Sequence, residues 1–157
     1  MAFSYQKDVA TTNKAAIPGD RANNQVAIYA PVNFTVASGA TAVAVKAGGF
    51  VWEDSNGQIQ GGGTGAPLGF MERVQNQPNY DVSVPGSMVI PGGAEVNVAV
   101  QGDFFVAADA SVSVGDTVYA DTTDGSVTFT SSGTTEDSGF KAFTSGASGD
   151  MVIITKR

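Results

Sequence analysis

Glycine and proline punctuate this chain too densely for a long helix: twenty glycines and six prolines are spread through 157 residues. A glycine in a helix interior costs about 1 kcal/mol relative to alanine, and a proline about 3. No window of about 12 residues carries apolar side chains at helical spacing. Short alternating runs stand in its place, at residues 25–30, 40–46, 49–53, 67–74, 86–90, 95–107, 116–120, 125–130, 139–144 and 150–155. Each lies between Gly, Pro, Asn or Asp turn residues, the pattern of strands. In the cleanest run, Glu95 to Gln101, Val96, Val98 and Val100 share one face. The expectation is an all-β fold, a compact β-barrel or sandwich of about ten short, mostly antiparallel strands. Residues 18–157 form one β-rich domain, with two sub-lobes meeting near 95–107. Residues 1–17 are polar, alternate little and lead into Ile17-Pro-Gly-Asp20, so they are set apart as an extended N-terminal arm.

What the chain lacks narrows its chemistry. It has no cysteine, hence no disulfide, thiolate metal site or cysteine nucleophile. It has no histidine either, which removes the Ser-His-Asp and Cys-His machineries and any imidazole ligand. Carboxylate-only chemistry and hard-cation binding remain open on this inventory. Eight basic side chains face fifteen acidic ones, a net charge of −7, with no run of Lys or Arg to track phosphates. Nucleic acid is therefore not an expected partner. No window approaches the roughly 18 apolar residues of a membrane span, and the N-terminus has no signal-like apolar run. The expectation is a chain made in the cytosol, with no membrane partner.

Three stretches invite a chemical reading. "VYADTTDGSV" (118–127), with Asp116 just upstream, places three carboxylates within nine residues. An EF-hand loop would need acids at alternate positions, a closing Glu and flanking helices, and none of these is present. The stretch instead echoes "FVWEDSNGQI" (50–59), and each is followed by a Gly-Phe pair, Gly69-Phe70 and Gly139-Phe140. Two hairpins of one design follow, with Asn56-Gly57 and Asp124-Gly125 in the turns and the preceding acids as Asx-turn acceptors. Glu53 and Glu72, on neighbouring expected strands, are the best pair for carboxylate hydrolysis, which needs two acids about 5–10 Å apart in a cleft. Solvent-facing strand positions are the better reading of both. "GGGTGAPLGF" (61–70) is glycine-rich but lacks the Gly-Lys-Ser/Thr ending and helix of a phosphate loop. In "GDFFV" (102–106), Phe104 and Phe105 must point to opposite faces of a strand. One enters the core, and the other needs a second layer or a neighbouring subunit.

"GFMERVQNQPNY" (69–80) concentrates Phe70, Arg73, Gln75 and Tyr80, and Arg and Tyr are enriched at interface centres. The succession "IPGDRA", "GGFVWED", "GTGAPLGFMERVQ", "MVIPGGAEVNVAVQGDFFV" and "VGDTVYADTTDGSVTF" resembles the structural cement proteins of tailed-bacteriophage capsids, over roughly residues 17–130. The resemblance implies a non-enzymatic protein, with no catalytic residue, cofactor, metal or small-molecule substrate, on the outer surface of the virion head and made in the host bacterial cytoplasm. It would bind the major capsid protein at capsomer junctions and stabilise the expanded shell against DNA pressure. It would act as a homo-oligomer, a dimer or trimer. The contact candidates are Phe3, Tyr5, Lys7 and Lys14 on the arm, with Phe70, Arg73, Gln75 and Tyr80. The alternative is a phage tail or fibre module binding host carbohydrate, for which Trp52, the only tryptophan, would have to be accessible.

Overall fold

The computed structural model describes residues 16–23, 25–73 and 88–157. Among them there is no helix, and thirteen strands form. In chain order these are β1 (Ile28–Tyr29), β2 (Phe34–Thr35), β3 (Val45–Lys46), β4 (Phe50–Glu53), β5 (Ile59–Gln60), β6 (Gly69–Phe70) and β7 (Val89–Ile90). They continue with β8 (Glu95–Val96), β9 (Ala99–Ala107), β10 (Thr117–Asp121), β11 (Val127–Thr128), β12 (Thr135–Ala142) and β13 (Met151–Lys156). The main antiparallel sheet runs β11-β10-β12-β13-β9-β6-β4-β5, with β1 also on β9. Two small ribbons, β2-β8 and β3-β7, complete the all-β fold.

Strand alternation builds two cores from shared strands. Along β4, Phe50 and Trp52 enter one cluster while Val51 enters the other. Phe70 and Met71 divide in the same way, as do Ala99 and Val98. Period-2 geometry requires this of a strand buried on both faces, which explains why "FVW" is a continuous apolar run. The first core holds Phe50, Phe70, Phe104 and Phe140, each at most 1% exposed. Their rings meet at 4.8 Å (Phe70–Phe104), 5.4 Å (Phe50–Phe70) and 5.7 Å (Phe50–Phe140). The Gly-Phe echo therefore closes in space, with Phe70 and Phe140 centroids 6.2 Å apart.

The two look-alike hairpins form, β4-β5 and β10-β11, and their acids accept turn N–H groups. Asp54 Oδ1 takes the N–H of Asn56 (2.8 Å) and Gln58 (2.9 Å), Asp121 Oδ1 that of Thr123, and Asp124 Oδ1 that of Ser126. Asp116 likewise accepts from Ser113 at 2.7 Å. The positive φ belongs to Gly57 (75°) and Gly125 (73°), whereas Asn56 and Asp124 do not adopt it. The sheet curls until these hairpins touch. Phe50 N–H donates to Gly125 O (2.7 Å), and Gly63 N–H donates to Thr122 O (2.9 Å). Here the triglycine Gly61–Gly63 has its purpose. A Cβ on Gly61 would lie 2.1 Å from Ala44 O, and one on Gly62 2.8 Å from Thr122 O. At Gly61 and Gly62 the run is a backbone-to-backbone seam that requires a missing side chain, while a Cβ on Gly63 would lie 2.5 Å from Trp52 Cγ.

Several expected boundaries shift. The run 95–107 splits at residues 97–98, because β8 pairs with Phe34–Thr35 while β9 pairs with β13, β6 and β1. The strand Phe34–Thr35 was not expected from the sequence, since a two-residue strand is defined by its partner rather than by its own pattern, whereas Ile59–Gln60 is the return strand of the expected 50–59 hairpin. β12 starts at Thr135, four residues before the expected 139, in a stretch too polar to alternate.

Candidate functional site

The expected contact segments fall largely outside the described residues, as do Phe3, Tyr5, Lys7, Lys14, Gln75 and Tyr80. What the structure describes is where those segments attach. Ile17-Pro-Gly-Asp20 forms a turn, with Asp20 N–H donating to Ile17 O at 3.0 Å and Gly19 at φ 93°. Pro followed by Gly is what a type II turn requires at its centre. From this turn the chain runs antiparallel along β9. Gly19 N–H donates to Phe105 O, Ala22 N–H to Asp103 O, and Ile28 then pairs with Gln101.

The root of the 74–87 segment is bonded to that turn. Arg73 N–H donates to Gly19 O (2.9 Å), and its Nη1 pairs with Asp20 Oδ1 at 2.9 Å. Both side chains of the pair are about four-fifths buried. The far end of the segment returns to the same place, since Ala47 N–H donates to Met88 O while Gly48 N–H donates to Met71 O. Gly48 and Gly19 touch, and a Cβ on Gly19 would lie 2.8 Å from Gly48 N. Arm root, segment start and segment end thus converge on Ala47–Gly48. Beside them is an open hollow of about 190 Å³, lined by Pro18, Gly48, Phe50, Val106, Asp124 and Val127 among others.

A polar cluster supports the root from below. Arg21 Nε pairs with Glu72 Oε1 at 2.6 Å, and the Tyr29 hydroxyl donates to Glu72 Oε2. Burial, reinforced by Glu72, pushes the Tyr29 hydroxyl above its usual pKa. At the hollow's rim Asp124 pairs with Lys46 at 3.3 Å. Burial alone would push this carboxyl up, but the Ser126 hydrogen bonds and Lys46 outweigh it and hold it below the usual range.

Two expectations need correction, the contact role of Phe70 and the solvent-facing position of Glu72, which is buried. Phe70 is fully buried with its ring against Phe50 and Phe104, so it has no surface to offer a partner. Arg73 is committed to Asp20, which makes it a positioning residue for the root. Trp52 is 4% exposed and its Nε1 donates to Gly65 O at 2.8 Å, so its ring is unavailable to a sugar. Glu72 is spent on Arg21 and Tyr29, whereas Glu53 lies exposed at the end of β4. The sequence reading missed Asp20, Arg21 and Tyr29. "GDR" directly after a Pro-Gly turn was their only trace.

The family described as structural cement protein (E217 gp24/Pam3 gp6) matches residues 5–156. No curated protein sequence matches the chain. A chain of the solved capsid of Myoviridae Phage XM1 shares its fold at TM-score 0.67 and 17% identity, covering 98% of this chain and 97% of that one.

Proposed function

Because the chain belongs to the phage structural cement protein family, we propose that it decorates the outer surface of a tailed-phage head at capsomer junctions and holds the expanded shell against DNA pressure, acting as a homo-oligomer. The observation that carries this reading is the shared root. Residues 1–15 and 74–87 attach at one spot, Gly19–Asp20 against Arg73, on a body stiffened by two cores. Two peptide segments on a common rigid mount suit an interface with a large, repetitive partner. Each contact can be weak, because symmetry multiplies it and tethering makes the second contact intramolecular.

The stabilisation itself is linkage. A protein that binds the expanded lattice better than any other form of the shell shifts the equilibrium toward expansion, by an amount set by its concentration relative to Kd. No residue needs to do chemistry for this. The major capsid protein is the partner, and the virion surface is the location.

The test mixes purified protein with expanded shells that lack it and measures decoration by sedimentation and electron microscopy. Deleting residues 2–15, or replacing 74–87 by a short Gly-Ser linker, should reduce decoration at least tenfold, while Glu53→Gln leaves it unchanged. Decoration as in wild type by both shortened proteins would refute the proposed mount.

A further inference from the structure

On the outward face of the main sheet, one apolar row crosses three strands. Ile153 of β13 pairs with Phe105 of β9, and Phe143, just past β12, donates its N–H to Ile153 O. The inward neighbours Phe104, Ile154 and Ala142 fill the core, so Phe105, Ile153 and Phe143 point away from it. Phe143 is 54% exposed and Phe105 and Ile153 are half-buried. Among the described residues no second layer covers them.

The charges around this row differ from those of the rest of the protein. Arg21, Lys46 and Arg73 are each ion-paired within 3.3 Å. Of the other described cations, Lys141 and Arg157 border the row, whereas Lys156 shares the inner side with Ile154, its Nζ donating to Ser138 O at 3.4 Å and lying over the Phe140 ring. Lys141 donates only to the Thr117 hydroxyl, and Arg157 lies over the Phe143 ring at 5.9 Å. The buried Asp103 is shared among Asn23, Thr155 and, at 3.6 Å, Arg157. The bordering Asp116 and Asp150 turn an oxygen back to the N–H of Ser113 and Ala147. Within a chain of net charge −7, this is an aromatic face with cations at its edge. The other end of β12 is the converse: Glu136 and Asp137 are exposed, Asp137 turning one oxygen back to the Gly139 N–H at 2.8 Å, and the half-buried Tyr119 pairs with Asp137.

We propose that this face docks a second copy of the chain, receiving the Glu136–Asp137 end of β12 beside Phe143, with Lys141 and Arg157 as the facing charges. The inference rests on the homo-oligomeric part of the functional reading. Two-fold self-pairing of the face would set Lys141 and Arg157 against themselves. The charges instead favour a contact offset along β12, reached either head to tail or about a two-fold axis midway between Asp137 and Lys141, where each charge pair forms twice. Phe143 supplies the apolar anchor and Arg157 the type of cation enriched at such centres.

The test is the native mass of the full chain by light scattering and sedimentation at low and high salt. Wild type should be a multiple of 15.9 kDa, with association weakened by salt. Lys141→Glu with Arg157→Glu, and separately Phe143→Ser, should shift the mass to the monomer while thermal unfolding stays cooperative and its midpoint falls only by what the lost association contributed. Adding Glu136→Lys and Asp137→Lys to the first variant should restore the oligomer. A monomeric wild type overturns both this inference and the oligomeric reading. A wild-type oligomer that survives the variants, or a charge swap that restores nothing, overturns the assigned surface alone. Shell decoration lost by these variants with the native mass unchanged would assign the face to the shell and overturn the proposal.

Discussion

Gly57 and Gly125 provide a controlled experiment within one chain. They hold equivalent places in the two look-alike hairpins and have nearly the same φ, 75° and 73°. Their surroundings differ. A Cβ on Gly57 would meet nothing nearer than Glu53 Oε1 at 3.7 Å, whereas one on Gly125 would lie 2.3 Å from Phe50 O and 2.5 Å from Gly61 O. Alanine at either site bears the left-handed backbone cost of about 1–2 kcal/mol. It also gains the same small reduction in unfolded-state entropy, about 0.4–1 kcal/mol. These terms cancel in the comparison. What remains for Gly125→Ala is the overlap with two carbonyls that cannot move without opening the seam, an overpacking cost of about 1–3 kcal/mol. For a chain of this size each kcal/mol lowers Tm by about 2–4 °C, so Gly125→Ala should melt roughly 2–12 °C below Gly57→Ala. Urea titration should show the same order, with a lower midpoint and unchanged slope. Equal stability of the two variants would refute the claim that the hairpins close the sheet by backbone contact.

Phe140→Ala removes a fully buried ring that packs on three other phenylalanines, and should cost about 3–5 kcal/mol in urea titration. Arg73→Ala leaves Asp20 without its partner and should cost about 1–3 kcal/mol; shell decoration should fall with it, and Arg73→Lys should recover part of both. The raised Tyr29 pKa makes a stability contribution that is intact below the unfolded value near 10 and is lost as pH rises through the higher folded value. Above pH ~10 the urea midpoint of wild type should therefore fall more steeply than that of Tyr29→Phe. Asp54, held below its usual pKa chiefly by the Gln58 N–H, contributes in the opposite sense. That contribution is present above the unfolded value near 4 and lost as pH falls through the folded one, so Asp54→Asn should show a flatter acid limb.

The sequence showed the hairpins at 50–60 and 117–128 clearly, because Asp-polar-Gly turns between alternating apolar residues are local chemistry. It showed them as separate objects. That they meet, and that Gly61 and Gly62 let them meet, depends on segments 59 or more residues apart and leaves no local pattern. The same holds at the root. Arg73 stood out as one of three arginines, yet its partner Asp20 lies fifty-three residues away. Phe70 misled for the complementary reason: a Gly-Phe pair beside an Arg and a run of polar residues reads as surface, whereas distant strands of its own curled sheet make it core.

By itself the sequence determined the all-β class, the turns and the acids that shape them, and the absence of histidine and thiol chemistry. These follow from backbone freedom and side-chain inventory, which act within a few residues. Only the tertiary structure decided which face of each strand was buried, that two cores share β4, and that Ile17–Asp20, Arg73 and Met88 come together at one place. Those outcomes depend on pairing between distant strands, where the free energy lies in which surfaces meet rather than in any residue taken with its neighbours in the chain.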